Sequence, residues 1–337
     1  MQTNLHNRKN VILEQIRTTL IELGSATKVE LNELLDISFP TISKFLTLME
    51  KKGEIISLGL DESSGGRRAK RYRYNPEYSL GLAIFLEKTE TNYSIFNSIG
   101  EVRETGEICS VLTHNGLKVL TMNMENMIKK YPKIKTIAIG VPGSVENGKV
   151  FYIPGYDEFQ HLDLKKYYEN HFSIPVVIEN DMNAAVIGYH ANNELNAGKS
   201  LVYLYSGQNG PGAGILINGE VIRGSTFFSG EVSFIPQYNH KNFEQALGSK
   251  KITIQEDHEI DAISRLIATF TAIINPHTII FSTDEVEKEI LYKIANQSAI
   301  YIPVEHLPEL TTSNWKNDYL YGLQNLALHL LRSQAID

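Results

Sequence analysis

Two short stretches decide the fold: Ile137-Ala138-Ile139-Gly140-Val141-Pro142-Gly143 and Ile178-Glu179-Asn180-Asp181-Met182-Asn183-Ala184-Ala185. The first is an apolar run closed by Pro-Gly. That pattern suits a strand covered on both faces and running into a tight turn. The second extends a strand over residues 175–179, delivers Asn180 and Asp181 to its end, and leads into an Ala-rich helix. In an open α/β sheet, ligands sit beyond the carboxyl ends of the strands. Both stretches therefore place polar groups where a small polar molecule would bind. A plainer reading stands beside this one: Asn180 or Asp181 can simply cap the helix that starts near Met182, since either side chain accepts a bond from an orphan helical N–H.

Taken together, Gly140-Val141-Pro142-Gly143 and Glu179-Asn180-Asp181-Met182-Asn183-Ala184-Ala185 resemble the ROK family of sugar kinases and sugar-responsive repressors, the group that holds the xylose and N-acetylglucosamine repressors. That family has a Gly-Val-Pro-Gly turn followed further on by Glu-Asn-Asp-x-Asn-Ala-Ala. The resemblance implies that Gly143, Asn180 and Asp181 line a sugar site and that Asp181 holds the position of the general base of phosphoryl transfer. It implies an α/β chain with a two-lobed actin-like ATPase (ribonuclease H-like) body.

At 337 residues the chain has room for two or three domains. Its single cysteine, Cys109, excludes an internal disulfide and a Cys-based zinc cage, and fits a reducing compartment. No N-terminal signal pattern is present and no apolar run approaches the ~18 residues of a membrane span. A cytoplasmic protein without membrane contact is expected. The net charge of −7 is unevenly spread. Residues 1–78 carry 12 Lys+Arg against 10 Asp+Glu, and the remainder 20 against 29. A mildly basic head on an acidic body points to nucleic acid as a partner of the head only.

In the head, residues 6–23 read as a helix with Leu13, Ile16, Leu20 and Leu23 on one face, stopped by Gly24. Thr27-Lys28-Val29-Glu30 is a capping-box pattern for a short helix to about Leu35. A third helix follows, with Ser38 as cap and Pro40 in its first turn. Its apolar residues Ile42, Phe45, Leu46 and Met49 fall at helical spacing, and Gly53 stops it. Three short helices, the third polar on one side, are the layout of a helix-turn-helix. Thr41, Ser43 and Lys44 are then the residues expected to reach base edges. A small helical interaction module would show the same residues. Residues 54–60 and 71–74 read as strands around a Gly65-Gly66 tip, which makes a hairpin wing, and residues 67–73 hold five basic side chains in seven. Gly66, Arg67, Arg68 and Lys70 are the expected wing contacts to double-stranded operator DNA, although such a run can also be a solvated face. A winged helix with a Gly-Gly-Arg wing is what the repressor members of the ROK family carry and the kinase members lack.

Asn75-Pro76 marks a linker. Strands are expected at 80–86, 91–97 and 101–109, a helix at 116–131, strands at 201–206 and 213–218, and helices at 257–274, 284–295 and 314–332. The resulting division is a winged helix over 1–75, a first lobe over 76–198, and a second lobe over 199–337 whose last helix returns to the first.

The resemblance weakens on the nucleotide side. The kinases' first phosphate loop, Asp-x-Gly-Gly-Thr, corresponds here to Ala83, Phe85, Leu86 and Glu87, which removes the carboxylate that organises Mg²⁺ and places bulky side chains and a charge where phosphates approach. The second loop reads Ser206-Gly207-Gln208-Asn209-Gly210-Pro211-Gly212. Asn275-Pro276 leads to Phe281-Ser282-Thr283-Asp284, without the glycines that admit adenosine. Phosphoryl transfer depends on held phosphates and metal, so no enzymatic activity and no cofactor are expected. Glu231, in Gly230-Glu231, matches a sugar-binding Glu of the family, and Glu244 matches a second across a deletion; either can equally be a surface carboxylate. The family's His position is Phe234, which can stack on a sugar face. The zinc cysteines are absent, so no metal is expected, and packing around Phe234 and Phe243 takes the place of that site.

The reading is a sugar-responsive regulator, a repressor, binding a sugar or sugar derivative at Gly143, Asn180, Asp181, Glu231 and Glu244. It would act on DNA as a homodimer or dimer of dimers, because operators mirror two-fold symmetry. A sugar kinase with an unusual nucleotide site, and a DNA-binding protein with a vestigial pocket, are the other readings.

Overall fold

The computed structural model describes residues 2–61, 68–153, 156–193, 195, 198–207, 210–248 and 253–334. In the head, α1 (Gln2–Glu22) buries Leu13, Ile16 and Leu20, and the chain turns at Gly24 with φ +72°. β1 (Ala26–Thr27) runs into α2 (Lys28–Leu35). The capping box is complete: Thr27 Oγ1 accepts from the Glu30 amide at 3.2 Å, and the Glu30 carboxylate accepts from the Thr27 amide at 2.7 Å. α3 (Phe39–Lys51) buries Ile42, Phe45, Leu46 and Met49 as its periodicity requires. Ser38 does not cap it through its side chain; the hydroxyl bonds Thr41 Oγ1 at 2.8 Å instead. Pro40 in the first turn has no N–H, which removes one of the orphan donors a cap would serve. β2 (Ile55–Leu60) and β3 (Lys70–Tyr74) pair antiparallel, and β1 adds to β3, giving the order β1-β3-β2. The two residues of β1 are too few to leave a sequence pattern. Gly66 and Arg67 lie outside the described residues.

The body holds two five-stranded sheets. The first is built from β4 (Leu80–Leu86), β5 (Glu90–Asn97), β6 (Val102–Cys109), α4 (Gly116–Lys130), β7 (Ile134–Val141), the hairpin β8 (Ser144–Glu146) and β9 (Lys149–Tyr152), α5 (Leu164–Phe172), β10 (Val176–Asn180) and α6 (Asp181–Asn192). Its order is β10-β7-β4-β5-β6, with β10, β7 and β4 parallel. The second is built from β11 (Leu201–Tyr205), β12 (Gly212–Ile217), β13 (Glu220–Val221), α7 (Phe243–Leu247), α8 (Asp257–Ile274), β14 (Thr278–Ser282), α9 (Lys288–Ser298), β15 (Glu309–Ser313) and α10 (Trp315–Arg332), in the order β13-β12-β11-β14-β15. α9 starts later than the pattern suggests, because residues 283–286 turn back on β14: the amides of Glu285 and Val286 both donate to the Ser282 carbonyl.

Each sheet has an apolar core on one face, with α4 and α5 against the first and α8 and α9 against the second. A third core lies between the sheets and is filled by α6 and α10. Those two helices cross in backbone contact. A Cβ at Gly322 would stand 1.8 Å from the Ala184 carbonyl oxygen, and one at Gly188 would stand 1.9 Å from that of Asp318. Only glycine permits that approach. A fourth core holds the head together, and Arg17 of α1, 4% exposed, ties it to the body. Its guanidinium pairs with Glu54 and donates to the carbonyls of Arg332 and Gln334 at the end of α10.

Candidate functional site

The carboxyl ends of β4, β7 and β10 face the strand ends and loops of the second sheet across a solvent-open cleft. Gly143, Asn180, Asp181 and Glu231 all line it. Asn180 occupies the N-cap of α6, where its Oδ1 accepts from the Asn183 amide at 3.0 Å. Its Nδ2 donates to the Gly143 carbonyl at 3.0 Å and to Asp181 Oδ1 at 2.9 Å. Asn180 is thus both a cap and the brace that fixes the Gly143 turn against Asp181. Asp181 Oδ1 also accepts from the Met182 amide at 2.8 Å. Glu231 enters from the second-sheet side, and its Oε1 accepts from Ser144 Oγ at 3.1 Å across the cleft.

The cleft is acidic. Burial lifts the Asp181 carboxyl to about 7, with a further push from Glu231. Burial also raises Glu231 above the ordinary carboxylate range, against the Ser144 hydrogen bond. Glu87, which lines the same cleft, is lifted to about 8 by burial and then by Asp181 and Glu90. Phe85 and Leu86 turn to opposite faces of β4, into the inter-sheet core and the first-sheet core respectively. Neither overhangs the cleft, so the obstruction expected of their side chains is not formed; Glu87 alone of the three reaches it.

Glu244 lies exposed on α7 rather than in the cleft wall; its Oε1 would lie 3.6 Å from a Cβ at Gly210, on the rim. Phe234 is 62% exposed and sits beside Phe228, with ring centroids 5.4 Å apart. The packing expected around it is therefore absent and it does not line the cleft, whereas Phe243 is buried in the second-sheet core. Among the described residues, no group of three His, Cys, Asp or Glu is arranged to hold a metal.

Several cleft residues have no local sequence signature. Arg223 lines the cleft and pairs with the buried Glu179, whose other oxygen accepts from the Asn180 amide at 3.0 Å and from Asn183 Nδ2 at 3.1 Å. Ser144 directly follows the Pro-Gly turn, which is the one signal that could have found it. Behind the cleft, Glu285 accepts from the Ser206 amide at 2.9 and 3.0 Å and from the Gly207 amide at 2.9 Å. These are the opening amides of the altered second phosphate loop. Successive amides of this kind form an anion-binding nest, and here the chain's own carboxylate occupies it. Burial raises that carboxyl to about 7 despite the two amides.

In the head, Lys44 and Arg68 are exposed. Ser43 Oγ accepts from Lys28 Nζ at 2.9 Å, and Lys70 pairs with Glu50 at 2.5 Å. Arg71 is bound at 2.8 Å to both Asp61 and Glu30. The basic run is therefore partly neutralised within the head. No helix among the described residues is long and apolar enough to cross a membrane.

Residues 82–244 match the family model described as ROK family. The xylose repressor of Caldicellulosiruptor bescii is 30% identical over 227 residues, 64% of this chain and 55% of the relative. The chain thus spans about half the length of that protein. The beta-glucoside kinase of Listeria monocytogenes is 32% identical over 117 residues, covering 33% of this chain and 38% of the kinase. A crystal structure described as a ROK family transcriptional regulator, homolog of the E. coli MLC protein, superposes with a TM-score of 0.74 at 20% identity, over 97% of this chain and 99% of that one. That likeness shows the fold, the α/β actin-like architecture of ROK proteins. The similarity to the ROK family is thus carried by residues 82–244.

Proposed function

We propose that the protein is a sugar-responsive, DNA-binding transcriptional repressor whose cleft binds a sugar without phosphorylating it. The observation that carries this reading is the contrast between the cleft and the loop behind it. Gly143, Asn180, Asp181 and Glu231 converge on the cavity, while the amides of Ser206 and Gly207 are held by Glu285. A nucleotide phosphate would have to displace a buried carboxylate, and no carboxylate stands at Ala83 to organise Mg²⁺. The xylose repressor relative supports the regulatory reading. The organisation that goes with it is a winged helix over 1–75, a first lobe over 76–198 and a second over 199–337, with α10 packed against the first.

In this reading α3 enters the major groove, with Thr41, Ser43 and Lys44 toward base edges and the wing residues Gly66, Arg67, Arg68 and Lys70 along the backbone. Lys70 exchanges Glu50 for a phosphate. The sugar contacts Gly143, Asn180, Asp181 and Glu231, with Glu244 at the rim. A sugar shifts DNA affinity only by its differential affinity for two arrangements of the molecule. α6 begins at Asp181, crosses α10 in glycine contact, and α10 ends on Arg17 of the head; this is the route by which a cleft ligand biases the head in a homodimer.

Fluorescence anisotropy on labelled DNA from upstream of the protein's own gene, at fixed salt with scrambled competitor, tests this reading. Specific binding released by one free sugar is expected. Equal binding to scrambled DNA contradicts it. One observation favours the kinase alternative: Asp181, at the base position, has its carboxyl lifted to about 7, as a general base would. ATP consumption with any hexose or pentose would establish that alternative.

A further inference from the structure

The chemistry of the effector is carried by the inner end of the cleft. Glu87 closes β4, is 4% exposed, and its Oε1 has no hydrogen-bond partner. Its backbone is fixed: the amide donates to the Glu90 carbonyl at 2.9 Å and the carbonyl accepts from Ser110 Oγ at 2.6 Å. The carboxyl therefore cannot swing out with the turn. Asp181 faces it from α6 and Glu231 lines the opposite wall. The groups that could offset these charges are engaged elsewhere. Arg223 pairs with Glu179, Lys316 pairs with Glu90, and the Ser206 and Gly207 amides hold Glu285. A buried polar group without a partner is costly unless a ligand supplies one.

We propose that Glu87 and Asp181 form a subsite for a hydrogen-donating hydroxyl of an unphosphorylated sugar, and that Glu87 is the residue that rejects phosphate esters. This rests on the cleft being a sugar site and names which sugars it takes. A hydroxyl donates one hydrogen and fits between two acceptors. Above about pH 8, where Glu87 has lost its proton, a phosphate dianion at the same place donates none, meets like charge from Glu87, Asp181 and Glu231, and finds the local amides and the Arg223 guanidinium already bound. Like-charge juxtaposition in a partly dry cleft discriminates strongly.

Calorimetric titration of the full chain at pH 9, where Glu87 is ionised, with D-xylose and D-xylose 5-phosphate, and with D-glucose and D-glucose 6-phosphate, tests this. One free sugar is expected to bind, with its ester at least 100-fold weaker. In Glu87→Gln and Glu87→Ala, each checked for an intact thermal transition, the free sugar weakens and the discrimination falls at least tenfold. An ester that binds the wild type as well as the free sugar overturns the proposal and leaves the sugar site standing. Discrimination that survives both substitutions overturns the role of Glu87. Binding of none of the four compounds overturns this proposal together with the sugar site.

Discussion

On the wall made by β7, β10 and the start of α6, polar groups are held open toward the cavity. Asn180 braces the Gly143 carbonyl against Asp181, and Ser144 reaches Glu231 across the gap. At the loop after β11, the equivalent polar groups are satisfied internally, since Glu285 takes the amides of Ser206 and Gly207. Both walls carry buried carboxyls lifted toward neutrality, Asp181 and Glu285 each to about 7. The difference is what each carboxyl faces: Asp181 lines an open cleft, whereas Glu285 is bonded to a loop. The comparison teaches that a pair of exposed-looking loop amides can be satisfied from within the chain. One carboxylate, Glu285, takes the place an anion would need at these amides.

The largest effect is expected where both walls share a frame. Gly322→Val drives a side chain into the Ala184 carbonyl and should cost ~3 kcal/mol or more, abolishing the distinction between the walls along with the fold; denaturant unfolding measures it. Glu87 comes next. The native state keeps a proton on this carboxyl up to about pH 8, whereas the unfolded chain loses it near 4.5, so stability falls as pH rises through that window. Burial first, then Asp181 and Glu90, hold the carboxyl up while Lys316 pulls it down. Glu87→Gln should match wild type at pH 4 and exceed it by about 2–4 kcal/mol at pH 8 in chemical denaturation. A third test separates binding from stability: Asp181→Asn should weaken the sugar by roughly 10- to 100-fold in calorimetry, the worth of a charged hydrogen bond, while leaving the protein at least as stable above pH 7.

On the closed wall, Glu285→Ala strips two amides of their partner and should cost about 1–3 kcal/mol in unfolding, with Glu285→Gln milder. A Glu285→Ala protein that gained MgATP turnover would show that this wall was merely plugged, rather than also lacking its metal ligand. The smallest effect lies in the head. Lys44→Ala should weaken operator binding several-fold and lower the salt slope by about 1, read from anisotropy against salt concentration.

Much of the architecture was legible because it is written locally. The Thr27–Glu30 capping box, the buried face of α3 and the strands bounded by Gly or Pro each depend on residues a few positions apart. Asn180 and Asp181 stand at a strand end next to a helix, which sequence can place. What sequence could not supply are the pairs made by folding, Arg223 with Glu179, Ser144 with Glu231, and Glu285 with Ser206 and Gly207, which join distant segments. Phe234 shows the opposite failure. A motif position offered a ring able to stack on a sugar, but the ring lies exposed beside Phe228 and outside the cleft. The basic run after the Gly-Gly tip likewise looked uniform, yet Arg71 and Lys70 are bound to carboxylates of the head itself.

The contrast between the two walls is tested most directly by calorimetry on one preparation, titrated with D-xylose and D-glucose and, separately, with MgATP. A single-site isotherm for one sugar, no heat from nucleotide with or without that sugar, and no phosphorylated product are the results this account predicts. Nucleotide binding in the presence of sugar, or conversion of sugar to its phosphate ester, would contradict it.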